Sequence, residues 1–154
     1  MMNTRLTHTL LRSDAGLAAL VLRLPLGIIL AAHGAQKLFG WFGGYGLDGT
    51  GQWMASIGLE PGFLMALLAG SAEFFGGLAL ALGLLTRPAA IVSAFTMLVA
   101  LFSVHIGNGL FMANNGYEYA LALFAATAAL AIQGAGRYSL DQWLLSRLAA
   151  KSRG

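Results

Sequence analysis

Long unbroken apolar runs decide what this chain can fold into. Four are found, over about residues 15–39, 62–85, 88–110 and 117–134. About 20 mainly apolar residues are needed to carry a helix across about 30 Å of hydrocarbon. Lipid offers backbone N–H and C=O groups no partners, so a crossing segment must satisfy them internally, as a helix does. The alternating pattern of a barrel strand is absent. The expected fold is all-α: a polytopic membrane protein built as a four-transmembrane-helix bundle, one domain over residues 1–154. Only 10% of the residues are charged and 58% are hydrophobic. A soluble domain carries about 25% charged residues and could not hide this much apolar surface in one core.

There are no cysteines, which excludes disulfides, thiolate metal ligands and any cysteine-based cofactor. The formal net charge is +3, yet nucleic acid is not an expected partner. The basic residues flank the apolar runs instead of forming one face. Arg5 and Arg12 followed by an apolar stretch and Ala-Ala-His-Gly-Ala resemble a secretory leader. The stretch is too long for one and is interrupted by Arg23 and Pro25, so a retained anchor is expected.

Orientation follows from Lys and Arg in the short flanks. Four crossings put both termini and the Leu85–Pro88 turn on one side, with Arg5, Arg12, Arg87, Arg137, Arg147, Lys151 and Arg153. The other side has only Lys37. The basic side is expected to be cytoplasmic, with residues 40–61 as a long Gly- and Trp-rich outer loop. Trp41, Tyr45 and Trp53 suit the outer interface. Residues 135–154 form a basic cytoplasmic tail in which Ser139 to Trp143 begins a short interfacial helix. Pro88 suits the first turn of the third crossing.

Ionisable groups inside a crossing are costly unless paired, so each is a functional candidate. These are Arg23, His33, Lys37, Glu73, His105 and Glu118, with Gln36 and Asn108 beside them. At about 1.5 Å rise per residue, depth can be assigned to each. Glu73 lies near mid-bilayer, where a carboxyl must be paired or protonated. His33 and Lys37 share a face near the outer end of the first crossing. His105 and Asn108 do so on the third, and Glu118 opens the fourth. A polar pocket in the outer half of the bundle is expected, with Trp41 and Phe42 placed to lid it. Arg23 is expected either to pair with Glu73 or to bind ligand. Two imidazoles and a carboxylate could form a metal site, but no ligand-spacing motif supports one, so none is assigned. Ala72, Gly76, Ala79 and Gly83 form a small-residue stripe expected to serve close helix packing.

These residues also form a recognisable set. Arg23 and Gly27 are followed by His33-Gly34 and Lys37, then by Glu73 ahead of Gly76-Gly77. A Gly83-Leu84-Leu85-Thr86-Arg87 turn comes next, then Gly116 and Glu118 opening the fourth helix. Gly134, Gly136 and Ser139-Leu140-Asp141 close the set. Over residues 17–143 the chain resembles the DoxX family of four-helix bacterial inner-membrane proteins. That family is named for likeness to a membrane subunit of thiosulfate:quinone oxidoreductase. Some relatives look like partners of oxidative-stress or quinone-detoxifying systems. The resemblance implies a redox-linked inner-membrane subunit without fixing a reaction.

Three readings follow. In the leading one the pocket binds a quinone or similar aromatic molecule. Glu73, His33 and His105 accept its protons, and Arg23, Lys37, Asn108, Glu118 and Trp41 hold it. In the second, the chain acts as an oligomeric transporter of a small solute or of protons. In the third, it is a non-catalytic scaffold for a partner oxidoreductase.

Overall fold

The computed structural model describes the backbone of residues 4–151 and the side chains of residues 7–150. The side chains of Arg5, Lys151 and Arg153, part of the charge asymmetry above, lie outside the described residues. Seven α-helices are found among the described residues: α1 Thr4–Leu11, α2 Leu17–Phe39, α3 Gly46–Ser56, α4 Gly62–Leu82, α5 Thr86–Ala100, α6 Glu118–Gln133 and α7 Leu140–Lys151.

Among the described residues, three segments are long and apolar enough to cross a bilayer: α2, α4, and α5 with its continuation to Asn108. The fourth, α6, has 16 residues. At 1.5 Å per residue it covers about 24 Å, a shortfall of the kind that local bilayer thinning accommodates. The helices close a ring: α2 packs on α4, α4 on α5, α5 on α6, and α6 returns to α2. Leu26, Leu30, Leu80, Ala90, Met97, Leu123 and Leu130 fill its centre. The outside is as apolar as the inside. Phe95 is 67% exposed and Ile132 78% exposed. Water would penalise that surface, whereas hydrocarbon accepts it.

The α2–α4 seam is the closest. A Cβ on Gly34 would lie 2.3 Å from Phe74 N and 2.7 Å from the Gly70 carbonyl. A Cβ on Gly77 would lie 2.4 Å from Ala31 N. Only glycine lets the two backbones approach this far. The expected stripe of Ala72, Gly76, Ala79 and Gly83 does not form one seam. Gly76 faces Ser93 on α5, and Gly83 ends α4 in a left-handed turn. The glycines that meet α2 lie on another face of α4.

The segment 40–61 is not simply a loop, as the sequence suggests, because α3 occupies its middle. Three of its eleven residues are glycines, which disfavour a helix locally. Packing on α4 and α2 holds it, with Thr50, Gly51 and Met54 buried. The third crossing also departs from expectation. It starts at Thr86, ahead of Pro88, because Asp141 of α7 caps it. Asp141 accepts from Leu85 N at 2.7 Å and Thr86 N at 2.9 Å. At its other end, regular α-geometry stops at Ala100. A π-helical turn over Leu101–His105 and a 3-10 turn over Ile106–Asn108 follow. The tail holds α7, a longer helix than the short one expected from Ser139.

Candidate functional site

Lys37 lies in the last turn of α2, three residues beyond Gly34, and Glu73 lies three residues beyond Gly70 on α4. The close glycine seam therefore ends where these two side chains face each other. Lys37 Nζ donates to Glu73 Oε2 at 2.5 Å. The Glu73 side chain is 4% exposed and that of Lys37 is 24% exposed. A carboxylate this deep is tolerable only with a partner, and the ammonium is that partner.

The pair forms one wall of a partly open cavity of about 120 Å³ between α2, α4, α5 and α6. His33, His105 and Tyr119 supply further polar groups. Leu30, Met97, Ala100, Ala120 and Leu123 supply the apolar surface. The His33 and Tyr119 rings are 6.0 Å apart at 56°. His105 is the last residue of the π-helical turn, a geometry often found at functional positions. Its Nδ1 lies 2.9 Å from the Asn115 carbonyl. A carbonyl can only accept, so Nδ1 carries a proton, and in the neutral ring Nε2 is left as the free acceptor. The cavity thus gathers an anion held by a cation, two imidazoles and a phenol against apolar walls. Such a set can hydrogen-bond oxygens on a small ring and accept protons from them.

Of the residues singled out from sequence, the structure brings His33, Lys37, Glu73 and His105 to this cavity. Four others lie elsewhere. Arg23 neither pairs with Glu73 nor reaches the cavity. It is 2% exposed and donates to backbone carbonyls: Nε to Ala135 at 3.1 Å, one terminal nitrogen to Leu80 at 3.1 Å and to Ala81, the other to Tyr138. Those acceptors end α4 and form the α6–α7 link, so Arg23 fastens the opposite end of the bundle. Asn108 is exposed, and its amide donates to the Val104 and Asn115 carbonyls, both at 3.2 Å. Glu118 Oε1 accepts from Met112 N at 2.6 Å and shapes the 109–117 link. Trp41 is 56% exposed, packed on Phe39 and Phe42, and does not lid the cavity.

Tyr119 is the cavity residue that the sequence reading passes over. The ionisable Glu118 draws attention, yet the next residue shares the bundle-facing side of α6 with Ala120 and Leu123. The signal was the buried spacing Ala120, Leu123, Thr127 and Leu130 along α6. Among the described residues, no group of three or more His, Asp or Glu side chains is arranged to hold a metal ion.

The family profile described as DoxX matches residues 18–106, more than half the chain. This chain belongs to the DoxX family. The chain is also similar to the Bacillus subtilis protein named "Putative oxidoreductase CatD", 34% identical over 128 residues, covering 83% of this chain and 87% of that one. Inner membrane protein YqjF of Escherichia coli K12 is 37% identical over 131 residues, covering 81% and 90%. Inner membrane protein YphA of the same organism is 30% identical over 128 residues, covering 80% and 87%. No solved structure matches. Family, relatives and apolar helices together make this DoxX protein a multi-pass protein of the bacterial inner membrane.

Proposed function

We propose that this DoxX protein is the membrane subunit of a redox system and binds the ring of a small quinone or quinol in the α2–α4–α5–α6 cavity. The observation that carries the reading is the buried Lys37–Glu73 pair on the wall of a cavity that also holds two imidazoles and a phenol. An ion pair this deep is poor value for stability alone, because well-packed apolar residues commonly do as well.

The cavity suits the ring and little more. A dry cavity of about 150 Å³ takes up benzene, and this one is of that order at about 120 Å³. Glu73 and the free nitrogen of His105 accept hydrogen bonds from ring hydroxyls, while Lys37 and Tyr119 donate to ring oxygens. Apolar Leu30 and Met97 face the ring carbons. The bound ring supplies the electron chemistry; the protein's groups hold and move its protons. With no cysteine in the chain, the electrons pass to or from a partner oxidoreductase. The name of the Bacillus subtilis relative, "Putative oxidoreductase CatD", supports a redox link.

In this reading the termini are cytoplasmic and the cavity lies in the outer half of the membrane, as the Lys and Arg distribution supports. Binding of single-ring hydroquinones by the purified protein in lipid nanodiscs tests it, by calorimetry and by a shift in melting temperature. Unsubstituted 1,4-hydroquinone is expected to bind the native chain and to lose that binding in Glu73→Gln and in His33→Ala. Equal binding by these variants would sink the reading.

A further inference from the structure

A second cavity adjoins the first. It measures about 580 Å³ and lies between the last turn of α2, the 40–45 link and the first turns of α3, with Gln36, Lys37, Tyr45, Thr50 and Trp53 on its walls. Lys37 is the one lining residue the two cavities have in common. Its ammonium reaches Glu73 on the wall of the inner cavity. The vestibule walls carry polar groups (the Gln36 amide, the Tyr45 phenol, the Thr50 hydroxyl and glycine backbone) beside the Trp53 ring. Gln36 also steadies the rim, donating to the Phe42 carbonyl at 3.3 Å.

We infer that this vestibule is the entry site of the inner cavity, that Lys37 is its gate, and that the ligand it admits is a water-soluble ring compound without an isoprenoid tail. The inference rests on the reading of the inner cavity as a ring site and adds the ligand's class and route. An apolar tail needs an apolar channel next to the ring. The structure has an apolar groove of about 300 Å³, lined by Met54, Leu68, Phe95 and Val99 among others, between α3, α4 and α5. It shares no lining residue with the ring cavity. On α4, Ala72 faces the groove and Glu73 the cavity; on α5, Thr96 and Val99 face the groove while Met97 and Ala100 face the cavity. The two spaces lie on neighbouring faces of the same two helices, separated by the α4–α5 contact, so a tail in the groove would have to pass between those helices to continue a ring in the cavity. What adjoins the ring cavity through Lys37 is a vestibule that offers an amide, a phenol and a hydroxyl beside an indole, a lining suited to a ring compound with polar substituents.

Thiol labelling tests this, because the native chain offers no background cysteine. Thr50→Cys and Tyr45→Cys report on the vestibule and Ala120→Cys on the inner cavity. The full-length chain is held in lipid nanodiscs and treated with a charged methanethiosulfonate reagent. Both vestibule cysteines are expected to label, with 1,4-hydroquinone slowing the reaction several-fold and a decyl-tailed ubiquinol analogue leaving it unchanged. Ala120→Cys is expected to stay unlabelled with the native ion pair and to label readily when Lys37→Met and Glu73→Gln are combined, a neutral pair of similar volume. A native-like melting temperature of that triple variant confirms that it is folded.

Stronger protection by the tailed compound overturns the ligand class. Ala120→Cys labelling that ignores the state of Lys37 overturns the gate. Unlabelled vestibule cysteines, or cysteines unprotected by a ligand that calorimetry shows to be bound, overturn the entry route while leaving the ring site standing. Absence of calorimetric binding removes the ring site, and this inference with it.

Discussion

Asp141 on α7 holds Thr86 on α5, 55 residues away, by accepting its backbone N–H at 2.9 Å. Both residues are essentially inaccessible, 1% and 0% exposed. The other carboxylate oxygen takes Leu85 N at 2.7 Å, and Asp141 N donates to the Gly83 carbonyl at 2.8 Å. The first turn of α5 has no side-chain cap of its own, so a carboxylate from a distant helix supplies what a local Ser or Asp usually does. The Gly83–Arg87 turn and the Ser139-Leu140-Asp141 segment, far apart in sequence, are two halves of one fastening.

Asp141→Ala is therefore expected to destabilise the fold by about 2–4 kcal/mol, since two buried N–H donors near a helix dipole lose a charged acceptor. Asp141→Asn retains one acceptor oxygen and is expected to lose less. Thermal unfolding in detergent, followed by circular dichroism, checks the order. Ligand affinity of the folded fraction is expected to match the native protein, because the fastening lies at the end of α4 and α5 remote from the cavity.

Arg23 leads to a second expectation. It satisfies carbonyls on two elements separated from it by 57 and 112 residues. Lysine offers one nitrogen and cannot span that set. Arg23→Lys is expected to cost about 2 kcal/mol or more. Arg23→Gln and Glu73→Gln, acting at different ends of the bundle, are expected to add within about 0.5 kcal/mol in a double-mutant cycle. A large coupling energy between them would restore the Arg23–Glu73 pairing.

Lys37 and Glu73 are expected to behave in the opposite way. Removing either partner strands a buried charge, which costs about 3–5 kcal/mol, whereas removing both with apolar or neutral groups of like volume costs far less. Lys37→Met and Glu73→Gln should each lower the melting temperature more than their combination does. Additive losses would mean that the two groups do not depend on each other.

These contrasts also explain what was legible in the sequence. The crossings were legible because twenty apolar residues in a row have few other destinations. His33, Lys37, Glu73 and His105 could be placed together because depth follows from rise per residue and each interrupts an apolar run. Arg23 interrupts one too, but depth and charge do not reveal that its partners are backbone carbonyls, which carry no residue-type signal. Tyr119 was hidden behind an ionisable neighbour one residue, and about 100° of helix rotation, away. The helix α3 was hidden by its own glycines, since its packing partners on α4 lie outside any local window.

The glycine seam ties stability to the site and gives the last expectation. At Gly34 an added methyl would meet backbone on both sides, 2.3 Å from Phe74 N and 2.6 Å from Phe74 Cα. Backbone of a packed helix cannot step aside, so α2 and α4 must separate. At Gly76 the methyl would meet Ser93 Oγ at 2.7 Å, the end of a side chain that can rotate. Gly34→Ala is thus expected to cost more than the usual 1–3 kcal/mol or so for overpacking, and Gly76→Ala to fall at or below it. Since Gly34 is three residues before Lys37, and Phe74 follows Glu73, the same separation lengthens the ion pair across the seam. Gly34→Ala should therefore weaken hydroquinone binding, although Gly34 does not line the cavity, while Gly76→Ala leaves it near native. Calorimetry on both variants separates a seam that positions the pair from one that merely holds two helices together. Equal binding by the two would assign the glycines to packing alone.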